Sequence, residues 1–411
     1  MPTILLIGTA DTKADEILFL RKMIESGGGK APIMDVGVLG EPPFKPDYSR
    51  HDVADAASTT NHAIANLGDE NLAMTKTAEG ASRLCLSLYD KGKINGVLLL
   101  GGTMGTDLAL DVTAALPLGF PKMIVSTVAF SHLIPPERLA PDVMMILWSG
   151  GLYGLNSICK SILSQAAGAV LGAAKTVQKI DTQKPVIAMS SLGSSALKYM
   201  VHLKPELEKR GYELAVFHTT GQGGRALESL ASQHRFVCIL DFSLQEVVND
   251  MKGSIVSSGS SRLEAAAKAG IPQIIAPGAT DLIDVPTWKA LPTDFEGRPY
   301  HAHNRLIASV TMTAEERREV ARLICQKLSK ATAPVKFIMP LQGIEEWDRK
   351  GNDLHDEDGL AALADEFRKV AKEPMELIEL DAHINDKAFA QKVLDILDVW
   401  TDDGVLARGV S

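Results

Sequence analysis

The chain has 411 residues, more than one compact core usually serves, so two domains are expected. Hydrophobic residues make up 45% and charged residues 23%, ordinary proportions for a globular protein. The net charge of −9 leaves no basic footprint, which argues against a nucleic-acid partner.

Residues 1–8, MPTILLIG, are too short for a signal segment with a cleavage site and read as a first strand. Short apolar, β-rich runs then alternate with longer helical patterns, the mark of βαβ units around a buried parallel sheet. Strands are expected at Thr3–Ile7, Ile33–Val38, Gly96–Leu100, Met123–Ser126 and Val143–Trp148. Helices are expected near Lys13–Glu25, Val53–Asn66, Lys76–Lys91, Thr106–Ala115 and Leu155–Lys175. The apolar stretch Ser161–Val177 is rich in Ala and Gly, is shorter than a membrane span, and reads as a packed helix.

The polar run Lys179–Lys184 breaks the alternation, and the domain boundary is placed there, giving domains 1–181 and 182–411. The pattern restarts with strands at Val186–Met189, Glu213–Phe217, Phe236–Asp241, Gln273–Ala276, Val335–Met339 and Glu376–Leu380. Helices are expected near Ser195–Lys209, Gly224–Ser232, Ser261–Ala269, Ala314–Leu328, Glu357–Val370 and Asp386–Val399. Leu39–Asp52 and Gly278–Asn304 are longer than usual α/β connections and read as lids or binding loops. The fold class is therefore α/β, two domains with mainly parallel sheets. The four cysteines are scattered and read as reduced core thiols in the cytoplasm.

Four glycine- or serine-rich turns follow strands and open helices. Gly8, Thr9, Asp11, Thr12 and Lys13 form the first; its N–H groups, hydroxyls and lysine suit a phosphate, with Asp11 for Mg²⁺ or a ribose hydroxyl. The plainer alternative is that Asp11 or Thr12 caps the helix. Gly101, Gly102, Thr103, Gly105 and Thr106 form a phosphate-type loop, because a Cβ would hold the backbone away from phosphate oxygens. It matches neither GxxxxGK[ST] nor a strict GxGxxG. Gly221, Gly223, Gly224 and Arg225 form the third turn, and Gly259, Ser260 and Arg262 the fourth; each arginine is a candidate grip on an anion, or a partner for the acid that follows it. His301 and His383 are candidate proton carriers, with Glu228 and Asp241 as catalytic acids and Asn304 as a substrate contact. No metal site is assigned. GxSxG, HExxH and the kinase motif set are absent.

The segments GTADTK, LLGGTMGT, STVAFS and AAGAVLGA, followed by HTTGQGGRALE, GSSRLEAAAKAGIPQIIAPGATD, HNRLIASVTMTAEE and DAHIND, carry a resemblance over nearly the whole chain. The chain resembles a bacterial member of the ATP-binding family named for the plant tobamovirus-resistance protein. That resemblance implies two Rossmann-like domains, ATP bound in the first, and a homodimer or higher homo-oligomer. Together these readings lead to the expectation of an ATP- and Mg²⁺-binding protein. Its second ligand would be a small carboxylate or sugar acid in an interdomain cleft, with no membrane partner. The alternative is a nucleotide-binding sensor without turnover.

Overall fold

The structure, a computed structural model, describes residues 1–178, 183–193 and 196–410. Most of the expected linker at Lys179–Lys184 lies outside those residues, and so does the helix start expected at Ser195. The chain divides into two compact units, Met1–Ile180 and Asp181–Ser411.

The first unit holds strands β1 (Ile4–Gly8), β2 (Ile33–Asp35), β3 (Gly96–Gly101), β4 (Lys122–Ser126) and β5 (Met144–Leu147). All pair in parallel, in the order β2-β1-β3-β4-β5. Every residue of β1, β3 and β4 is buried, as happens when helices cover both faces of a sheet. Because side chains alternate along a strand, Leu5, Ile7, Val97 and Leu99 meet the helices Glu70–Asp90 and Thr103–Ala115. Ile4, Leu6, Leu98 and Leu100 meet the helices Ala14–Ser26 and Ser157–Thr176 on the other face. The Ser157–Thr176 helix is long and apolar enough to cross a membrane by length and composition alone. Here Leu163, Ala167 and Val170 bury one of its sides in the core of the unit.

The single helix expected at Val53–Asn66 is two, Arg50–Ala56 and Asn61–Ala65. Ser58 sits between them at φ 57, and the Thr60 hydroxyl accepts the Ala63 N–H to start the second. Asp69 caps the next helix at the Leu72 N–H, which starts it at Glu70 rather than at Lys76.

The second unit holds β6 (Val186–Ser191), β7 (Glu213–His218), β8 (Cys238–Asp241), β9 (Gln273–Ile275), β10 (Leu282–Pro286), β11 (Tyr300–Ala302), β12 (Ile307–Thr311), β13 (Val335–Pro340) and β14 (Met375–Leu380). Six form a parallel sheet in the order β14-β13-β9-β8-β6-β7. Counted from β6, this is the strand order of the first sheet with a sixth strand added. The other three form an antiparallel sheet, β10-β12-β11. The stretch expected to be one long loop, Gly278–Asn304, therefore contains two strands. A buried helix, Gln245–Met251, is also new; Gln245 through Asn249 are all buried, so it has no polar face to reveal its period.

Candidate functional site

In the first sheet β1 and β3 are neighbours, with β2 outside one and β4 outside the other, so the order reverses between them. Open α/β sheets bind ligands at such a switch point, beyond the carboxyl ends of the strands. A cleft of about 420 Å³ lies there, lined by Gly8, Thr9, Thr12 and Lys13 after β1 and by Gly101–Gly105 after β3. That volume is within the range of small-molecule sites. Lys13 is the one charged residue among those lining it. Val36, Met74 and Leu108 add an apolar wall.

The glycines of the cleft have different causes. A Cβ on Gly101 would run into the backbone of Gly105, so packing alone requires that glycine. A Cβ on Gly102 would meet nothing closer than Thr127 Oγ1 at 3.8 Å. Gly102 precedes the Thr103–Ala115 helix without any side-chain cap, leaving its amino end open. Thr103 is exposed at the rim, whereas Thr106 is buried with its hydroxyl 2.7 Å from that of Ser126. Thr106 thus anchors the loop from below and does not face the cleft. Thr9 and Thr12 share a hydroxyl contact of 2.7 Å. Asp11 accepts the Thr12 N–H and packs against Gly37 and Gly40, so it does not line the cleft either. Asp35, which the motif search missed, accepts the N–H groups of Ala10 and Gly37 at 2.9 Å each and holds the first turn in place. Burial pushes its carboxyl up.

The turns of the second unit look alike in sequence and are built the other way. Gly221 and the carbonyl of Ser257 approach closely, so the third and fourth turns do come together. What lies between them is internal. The Glu246 carboxylate accepts the Gly221 N–H at 2.6 Å and the Gly224 N–H at 3.2 Å, filling the amino end of the Gln222–Ser232 helix. A Cβ on Gly224 would fall inside that carboxylate, and one on Gly223 inside the His218 carbonyl. Arg262 is 1% exposed and binds Asp241 through two bonds of 2.6 and 2.7 Å, Glu246 at 2.9 Å and Glu228 at 3.2 Å. Glu228 also accepts the N–H groups of Leu263 and Ala265. The donors of Gly221, Gly224 and Arg262 are thus spent on the chain's own acids, and Gly223 packs against the His218 carbonyl. Glu228 and Asp241, the expected catalytic acids, both pair with Arg262. Burial raises the carboxyls of Glu228 and Glu246 against the pull of Arg262. Gly259 takes φ +91 and donates to Ser257 Oγ, and the carbonyl of the exposed Ser260 accepts from Lys327. Arg225 is half-buried in the first turn of its helix.

Family models match almost every residue: Uncharacterised protein family (UPF0261) N-terminal domain over residues 2–179, and its C-terminal domain over residues 184–401. The chain belongs to the UPF0261 family. A UPF0261 protein of Brucella suis is 56% identical over 408 residues, covering 99% of this chain and 98% of that one. One from Clostridium tetani is 32% identical, covering 94% and 96%. The tomato ToMV resistance protein Tm-1(GCR237) is 29% identical over 96% of this chain, but only 55% of its own length is matched.

In this family member both expected catalytic histidines have structural partners. His383 is buried, its Nδ1 accepting the Asn385 N–H at 3.0 Å and its Nε2 donating to the Glu345 carbonyl at 2.8 Å. Both ring nitrogens are engaged inside the fold. His301 stacks on Trp347, centroids 4.0 Å apart. Asn304 shapes the turn between β11 and β12 by accepting the N–H groups of Leu306 and Ile307.

A buried acidic group escaped the sequence search. Asp281 has both carboxyl oxygens buried without a hydrogen bond. Burial, with help from Asp348, pushes its carboxyl up to about 7. Glu345 is pushed up to about 10 by burial and by Asp281. Asp348 accepts the Ile344 N–H at 2.7 Å and holds the loop that carries Glu345. Asp281 lies far in sequence from Glu345 and Asp348, and the group follows no motif. Among the described residues no group of His, Cys, Asp or Glu is arranged to hold a metal ion.

Proposed function

We propose that the first unit binds a nucleoside triphosphate, ATP above others, in the cleft between the turns after β1 and β3. One observation carries the reading: Gly102 stands at the open amino end of a 13-residue helix at the switch point, and among the described residues nothing comes closer than 3.8 Å to where its Cβ would be. The phosphates would lie against Gly102 and Gly105, with Lys13 and the hydroxyls of Thr9, Thr12 and Thr103 around them. The base would rest on the apolar wall of Val36, Met74 and Leu108. Mg²⁺ would arrive on the phosphates, since Asp11 does not line the cleft. An anionic second ligand loses its expected grip in the second unit, where the chain's own carboxylates occupy the helix ends. Nucleotide binding therefore stands as the reading, ahead of turnover on a sugar acid.

The test is calorimetry and thermal melting with MgATP. Ligand at 100 times its Kd stabilises the chain by about 2.7 kcal/mol. Gly102→Val removes this gain without lowering the melting temperature of the free protein. Undiminished ATP binding by a folded Gly102→Val chain overturns the assignment.

A further inference from the structure

The second sheet repeats the strand order of the first, so its own switch point lies between β6 and β8. The glycine turns nearby are filled from within, but a separate cavity of about 370 Å³ opens at these strand ends. Leu192 and Gly193, which follow β6, line it together with Gln245, which follows β8. The antiparallel sheet supplies a wall with Asp284 from β10 and Ser309 from β12. These two residues face each other across the strands.

Asp284 is the unusual group. It is 4% exposed and lines the cavity. Its Oδ1 accepts from Gln245 Nε2 at 2.9 Å and from Ser309 Oγ at 2.7 Å, and its Oδ2 accepts from Asn249 Nδ2 at 3.0 Å. All three donors are neutral. A carboxylate offers about four acceptor positions, so one remains. The buried acids Asp241 and Glu246 share Arg262, whereas Asp284 forms no ion pair among the described residues. A buried carboxylate without a counter-ion is unfavourable for the fold unless something else brings the charge. Burial pushes the Asp284 carboxyl up, against the pull of its hydrogen bonds from Ser309, Asn249 and Gln245; the exposed His303 stands at the same cavity wall.

The rest of the lining suits the body of such a ligand. Trp288 is 55% exposed, although an indole gains more than most side chains from burial, and it stands at this cavity. Trp347 also lines it, with its plane set by the stacked His301 ring. Indole faces attract cations through their ring quadrupole. Ile255, Val256, Leu306 and Ile307 add apolar surface, and His218, Thr220 and Asn304 add polar edges.

We infer that this cavity binds a small organic cation: an ammonium group directed at Asp284, carried on an apolar body that lies against Trp288 and Trp347. This ligand is opposite in charge to the one proposed for the first unit, and the two sites are independent.

Three probes of one shape test it on the full chain by calorimetry: 2-phenylethylamine, 2-phenylethanol and phenylacetate. The amine is expected to bind at least about tenfold more tightly than the alcohol, and phenylacetate not at all. Asp284→Asn brings the amine down to the affinity of the alcohol. Trp288→Ala, at an exposed position that leaves folding intact, weakens amine and alcohol alike. The inference is overturned if the alcohol or the acid matches the amine, or if the amine fails to bind at millimolar concentration. It is equally overturned if both variants bind the amine as the unaltered chain does. Should Asp284→Asn not fold, the amine–alcohol comparison and Trp288→Ala decide alone.

Discussion

The two units share a strand order and place glycine-rich turns at the carboxyl ends of their strands, yet the turns serve opposite purposes. In the first, Gly102 has open space before it and the cleft is lined by a single charge, Lys13. In the second, Gly224 is glycine because the Glu246 carboxylate sits where its Cβ would be. Both arrangements use the same property of a helix amino end, its unpaired N–H groups and partial positive charge. One leaves that end open, and the other satisfies it with an acid from the chain. A glycine-rich turn after a strand thus has two physical causes, and they differ in what stands next to the missing side chain.

The comparison is broken most severely by removing Arg262. Arg262→Met leaves Asp241, Glu246 and Glu228 buried without a cation, and the expected loss is about 3–5 kcal/mol in denaturant unfolding. A loss below about 1 kcal/mol would mean that these acids are held protonated and that the cluster is not an ionic keystone.

A matched pair of glycine substitutions sharpens the contrast. Gly224→Ala forces the Glu246 carboxylate aside and costs about 1–3 kcal/mol. Gly102→Ala adds a methyl group to open space and changes stability by about 0.5 kcal/mol or less, while weakening MgATP. Equal stability losses at the two positions, read from melting curves, would erase the distinction between a filled turn and an open one.

A smaller effect separates the second unit by pH. Burial pushes the Asp281 carboxyl up from 3.8 to about 7, so folding favours its protonated form. Its contribution is fully present below about pH 4 and is lost as pH rises through about 7. Stability should therefore fall as pH rises from 5 to 8, and Asp281→Asn should reduce that slope, leaving the part due to Glu345, whose carboxyl is also raised. A slope unchanged by Asp281→Asn would assign the pH dependence to other groups.

Much of this was legible in the order of residues. Runs such as ILLIG and GVLLLG mark strands buried on both faces, since a chain with so many adjacent apolar groups must bury them all. Their alternation with helical patterns leads to parallel sheets, and the turns that meet at the first switch point were marked by their glycines and by Lys13. Those signals are local: a strand, a turn and a helix start within a few residues of one another.

Tertiary structure alone decided what each turn faces. Glu246 lies 22 residues beyond Gly224, and Asp241 lies 21 residues before Arg262, so nothing in either motif reveals its partner. The same holds for Thr106, whose hydroxyl belongs to Ser126, and for His383, whose ring closes on a loop 38 residues away. Asp284 reads in sequence as one polar residue in the strand LIDVP, and only the antiparallel pairing with β12 brings Ser309 to it at the edge of a cavity. Secondary structure follows from short-range sterics and periodicity, which a sequence displays. Whether a buried charge meets an arginine, a neutral donor or an open space depends on long-range contacts that exist only once the sheets have formed.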